Sequence, residues 1–132
     1  IMQESHIILH LSLIPSIGPA TIQMVRQLKP VDMPWQELYS LSARDLRSLF
    51  YLGPVVAQNL VFGLADDKLL THELALIAKH NFQLTTVIDS DYPEQLSHIH
   101  APPPALYVQG ASIATFHKCL AIIGSRDADR YG

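Results

Sequence analysis

"KHNFQLTTVI", Lys79–Ile88, is where the chain changes character. Up to His80-Asn81 the apolar residues recur at helical spacing, and this pair suits the end of a helix. From Phe82 the residues become β-branched and aromatic, which reads as a strand. The break predicts an α+β chain with two parts, a helical domain over 1–81 and a strand-and-turn region over 82–132.

Working toward the N-terminus, "DKLLTHELALIAKHN" and "VVAQNLVFGLA" read as two helices or one kinked helix, opened by the Gly53-Pro54 break. Ser42 is a good N-cap, with Asp45 in the capping-box position ahead of "LRSLF". "WQELYSL" reads as a short helix framed by Pro30 and Pro34. "PATIQMVRQLK" places Pro19 in a first helical turn and spaces Ile22, Val25 and Leu28 for one face. "SHIILHLSLI" is apolar at most positions, as in a largely buried helix.

Toward the C-terminus, "DSDYPEQLSHI" reads as a turn and a short helix starting near Pro93. "APPPALYVQG" leads through a polyproline-like stretch to a strand at Ala105–Gln109, closed by Gly110. "KCLAIIG" is a continuous apolar run, the pattern of an interior strand in a parallel sheet.

The chain has 132 residues and is 48% hydrophobic, ample for a packed core. Nothing resembles a secretory signal, and the apolar stretches are too short to span a bilayer. The single cysteine, Cys119, lies in an apolar run, so a buried, reduced thiol in a cytosolic protein is expected. Nine Lys+Arg against twelve Asp+Glu give a formal charge of −3. Binding to nucleic acid strengthens with each phosphate neutralised, so any anion site here must be local.

Two stretches are alike: "LIPSIGPATIQMV" and "LFYLGPVVAQNLV". An apolar residue, Gly-Pro, a small residue and spaced apolar positions suit a helix-hairpin-helix, with Gly18 or Gly53 permitting the tight turn and Ala20 or Ala57 allowing close helix crossing. Such hairpins can offer backbone N–H groups to a DNA phosphate, which makes Ile17, Gly18, Leu52 and Gly53 candidates for weak backbone contacts. The alternative is a helical module that packs or binds protein. Ser16 stands where DNA-binding hairpins usually carry a second glycine, and no basic residue follows either turn closely.

The end of the chain, "CLAIIGSRDADRYG", reads as strand, glycine turn and helix start. Gly124 would let the backbone turn sharply, Ser125 offers a hydroxyl and an N–H, and Arg126 can fork two hydrogen bonds onto one phosphate. A helix beginning near Asp129 would add its N-terminal dipole. The motif is neither a dinucleotide fingerprint nor a Walker loop, so a structural turn is the alternative, and Asp127 opposes an anion there.

The series Tyr92-Pro93, Leu96, Ile99, Pro102–Pro104, Leu106-Tyr107, Gly110, Ile123-Gly124-Ser125-Arg126 and Tyr131-Gly132 resembles the DNA-processing protein A family, DprA or Smf. The helical region more loosely resembles that family's sterile-alpha-motif-like or helix-hairpin-helix domain. The resemblance implies an N-terminal fragment whose residues 82–132 begin a Rossmann-like domain. It implies a cytoplasmic, non-enzymatic protein that binds single-stranded DNA, protects incoming strands in natural transformation and loads RecA. It assigns DNA-phosphate binding to Gly124, Ser125 and Arg126, with no catalytic residue, metal or cofactor. A homo-oligomer, including strand exchange through the sheet, is a candidate assembly. A Rossmann-type nucleotide-binding enzyme and a helical interaction module remain the alternatives.

Other residues favour plain readings. His98 and His100, with Asp89 or Asp91, could meet a metal, but a polar turn is preferred, and the spacing is not that of a zinc site. His6 and His10 read as surface or satisfied core residues. Trp35 and Tyr39 could stack on bases, but packing is preferred. Arg44 and Arg47 make a small basic face, read as solvated charge.

Overall fold

The computed structural model describes residues 2–113 and 118–131. Helix α1 (Glu4–Leu13) buries the consecutive run Ile7–Leu11. A helix apolar on all sides needs neighbours all round. It packs against α2 (Pro19–Leu28), the 3-10 helix Trp35–Ser40, α4 (Pro54–Ala65), α5 (Asp67–Lys79), and strands β1 (Gln83–Thr86) and β2 (Ala105–Val108). Between the 3-10 helix and α4 lies α3 (Ala43–Phe50), packed on α2 and α4.

Local chemistry sets most boundaries. Ser42 Oγ accepts from the Asp45 N–H at 3.1 Å while Asp45 Oδ2 accepts from the Ser42 N–H at 3.0 Å, the expected capping box. Ser42 Oγ also donates to Asp45 Oδ2 at 2.7 Å, and this bond together with that from the Ser42 N–H holds the Asp45 acid below its ordinary range. Asp66 separates α4 from α5 and caps the latter through Lys68 N–H, 3.1 Å. Helix α5 ends in a Schellman turn: Asn81 is left-handed (φ 54°), and Phe82 N–H reaches the Ile77 carbonyl at 3.0 Å.

The core joins Ile7, Ile8, Leu11, Val25, Leu38, Leu46, Phe50 and Leu60, all essentially inaccessible to solvent. Ala57 is fully buried and lets helices approach closely, whereas Ala20 is exposed and does not sit at a helix crossing; the buried residues of α2 are Ile22 and Val25. Leu28, the last residue of α2, is 39% exposed. Gly63 marks a second close approach: a Cβ there would lie 2.5 Å from Ile14 side-chain carbons.

β1 and β2 pair antiparallel, Gln83 opposite Val108 and Thr86 opposite Ala105. The intervening turn carries the short helix α6 (Glu94–Ser97), close to its expected start. Gly110, at φ 94°, closes β2 in a conformation that suits glycine. Packing crosses the change in character at Asn81: Val87 and Ile88 lie against the helical core, Ser5 Oγ donates to Asp89 Oδ1 at 2.7 Å, and Arg26 Nη1 donates to the Val87 carbonyl at 3.3 Å.

The chain is thus α+β, mostly helical with one small sheet among the described residues. The interior strand expected at Lys118–Gly124 does not form; Leu120, Ile122 and Ile123 are 87–94% exposed. A strand is made by its neighbours, and the described ladder consists of β1 and β2 paired with each other. Cys119 is correspondingly exposed rather than buried. No helix starts at Asp129 among the described residues; Arg130–Tyr131 form a turn.

Candidate nucleic-acid interface

The two similar stretches fold to the same local geometry. Each has a left-handed residue (Ser16, φ 65°; Tyr51, φ 53°), a buried aliphatic residue (Ile17; Leu52), an extended glycine N-cap (Gly18; Gly53) and a proline at the helix start. The tight turn is therefore made by Ser16 and Tyr51, not by the glycines: φ is −97° at Gly18 and −65° at Gly53, with open space for a Cβ at both. Ile17 N–H is engaged by the Ile14 carbonyl at 3.2 Å, which removes it as a phosphate donor. Neither glycine cap receives a side-chain hydrogen bond. The first N–H groups of α2 and α4 have no partner within their own helices, as at any helix start.

The surroundings of the two turns differ. The first lies in an open groove with Asn59, Phe62 and Asp66, and Asn59 donates to Ser16 Oγ at 3.1 Å. The second lies in an open groove of about 420 Å³ lined by Arg44, Arg47, Ser48, Tyr51 and Leu52. No basic residue follows this turn closely, as the sequence reads, yet two line the groove beside it. The arginines precede Tyr51 in sequence and reach it because α3 ends on it.

Gly124, Ser125 and Arg126 are exposed and contiguous. Ser125 Oγ accepts from the Asp127 N–H at 3.1 Å, and Asp129 Oδ1 accepts from the Tyr131 N–H at 2.9 Å. The Asp127 N–H is thereby satisfied inside the loop, and Asp129 acts as a local cap. Gly124 has no positive φ and open space around its Cβ position, so the bend does not demand glycine. Gly132, the last residue of the family pattern, lies outside the described residues.

The remaining candidates are structural. Asp89 Oδ2 accepts from Thr86 N–H and Thr86 Oγ1, both at 2.7 Å, and Asp91 Oδ2 accepts from Thr85 Oγ1 at 2.9 Å. These carboxylates fasten the turn, while His98 and His100 are exposed; no cluster suited to a metal occurs among the described residues. His10 is buried with both nitrogens engaged: Nε2–H donates to the Asp66 carbonyl at 3.0 Å, and Nδ1 lies in hydrogen-bond contact with Tyr39 Oη at 2.8 Å. Burial pushes the Tyr39 phenol up to about 12. Trp35 is buried under Lys29 Nζ, 5.2 Å from the ring centroid, so neither aromatic is free to stack on a base.

With the geometry in place, comparison with known proteins identifies one part of the chain. Residues 83–132 match the family described as DNA recombination-mediator protein A. The match begins at the first residue of β1 and takes in α6, β2 and Gly124–Arg126, so the resemblance carried by Tyr92 through Arg126 stands. The recombination-mediator match ties this segment to DNA processing; the helical body before Gln83 lies outside it. No curated protein and no solved structure matches the chain. No helix among the described residues is long and apolar enough to cross a membrane.

Proposed function

We propose that the protein is a cytoplasmic, non-enzymatic recombination mediator that binds single-stranded DNA, protects incoming strands during natural transformation and loads RecA. The observation that carries this reading is the recombination-mediator match over residues 83–132, which includes the Gly124-Ser125-Arg126 loop. In this reading residues 1–81 are a sterile-alpha-motif-like or helix-hairpin-helix domain, and 82–132 open a Rossmann-like domain. Arg126 grips a phosphate through its planar guanidinium, with Ser125 and the exposed backbone beside it.

Titration of labelled oligo-dT with this chain tests the reading. The expected dissociation constant is about 10⁻⁴ M, the range of non-specific contacts. Arg126→Ala weakens binding further and lowers the log–log salt slope by about 0.7, the loss of one single-strand phosphate. Unchanged affinity and slope in Arg126→Ala would remove the loop from the site. Nucleotide turnover by the chain would favour the enzyme alternative.

A further inference from the structure

Tyr51 is a bulky residue held in a left-handed conformation, φ 53°, with 81% of its surface exposed. A left-handed backbone is unfavourable for a residue with a Cβ, and little burial offsets that here. The equivalent place in the first turn is taken by Ser16, a small residue whose hydroxyl is hydrogen-bonded. The ring at Tyr51 therefore has no evident packing role.

The groove beside it supplies the complementary chemistry. Arg44 and Arg47 sit at i and i+3 on α3, a spacing that places their Cβ atoms about 5–6 Å apart on one face. Both are exposed, and no ion pair is found for either among the described residues. Arg26 and Lys29, by contrast, are engaged with backbone carbonyls. Arg44 acts electrostatically on the Asp45 carboxylate, whose hydrogen bonds are taken up in the α3 cap by Ser42. Ser48 adds a hydroxyl and Leu52 an apolar floor.

We infer that the Arg44–Arg47–Ser48–Tyr51 groove is a second contact for single-stranded nucleic acid, the arginines holding adjacent phosphates and Tyr51 stacking on a base. Two exposed guanidiniums in one groove with an exposed ring match a strand that alternates phosphate and aromatic base. The first turn, with Asp66 in its groove and no cation lining it, does not have this complementarity. The inference rests on the single-strand reading above and adds a site in the helical body, outside the matched segment.

The test uses the whole chain with oligo-dT, followed by anisotropy and by NMR of the arginine side chains. Arg44→Ala/Arg47→Ala is expected to lower the log–log salt slope by about 1.4, at two single-strand phosphates of 0.7 each. Tyr51→Ala is expected to weaken binding at least about fivefold, while the ring-retaining Tyr51→Phe binds like the parent. If Arg126→Ala weakens binding but the double variant matches the parent, the groove inference is overturned and the functional reading stands. If the double variant loses binding while Arg126→Ala does not, the groove is supported and the loop assignment falls. Oligo-dT that leaves the Arg44 and Arg47 side-chain signals unmoved, or a groove that takes up a protein partner instead, overturns the inference.

Discussion

The runs Ile7–Leu11, aliphatic but for His10, and Leu120–Ile123 are alike in composition, yet one is the most buried part of the molecule and the other among the most exposed. In α1, helices, the 3-10 helix and the sheet surround the run and remove its side chains from water. At the C-terminal run no described strand lies alongside to complete a ladder. Apolar composition states a demand for partners; it does not supply them.

The first way to break this comparison is to truncate one side chain of the core around α1 and one of the exposed run. Phe50→Ala, in the fully buried core, is expected to cost about 3–5 kcal/mol, enough to threaten folding of a marginally stable body. Ile123→Ala should change stability by no more than about 0.5 kcal/mol. Urea melts of the two variants check the pair; equal losses would show that the C-terminal run is packed after all.

A smaller effect tests how tightly the helical body closes. Gly63→Ala forces a Cβ into the Ile14 side chain, and overpacking of this kind costs about 1–3 kcal/mol. A stable, unperturbed Gly63→Ala variant would mean that α4 and the end of α1 have room to separate.

The smallest effect is read from pH. Burial raises the Tyr39 phenol from 10.0 to about 12, so the folded state holds this proton more tightly than the unfolded chain. Its contribution is complete below the unfolded value and is lost as pH rises through 10 toward 12. Thermal melts should therefore show an alkaline decline in that window, reduced in Tyr39→Phe. Tyr92 and Tyr107 are also raised, chiefly by burial, and leave a residual slope.

Much of the architecture was legible in the residues. The Ser42–Asp45 capping box, the helix end at His80-Asn81, the start near Pro93 and the strand from Ala105 all occur as read, because each depends on chemistry within a few residues. Errors arose where a distant neighbour decides. The apolar run around Cys119 predicts an interior strand and the Gly-Pro turns predict a glycine bend, whereas Cys119 is exposed and the bends are made by Ser16 and Tyr51. The same holds for the candidate interface. Gly124-Ser125-Arg126 could be singled out as a contiguous motif, whereas Tyr51 drew no attention and Arg44 and Arg47 looked like ordinary solvated charge.

By itself the sequence determined the helix boundaries, the change from helix to strand near Asn81 and the motif series that the recombination-mediator match bears out over 83–132. Caps, turn residues and periodicity act over a few residues, so they can be read in order along the chain. Only the tertiary structure decided which apolar run became core, which carboxylates became turn fasteners and which arginines came to flank an exposed ring. Burial and charge proximity are set by residues far apart in the chain, and they exist only once the helices have packed.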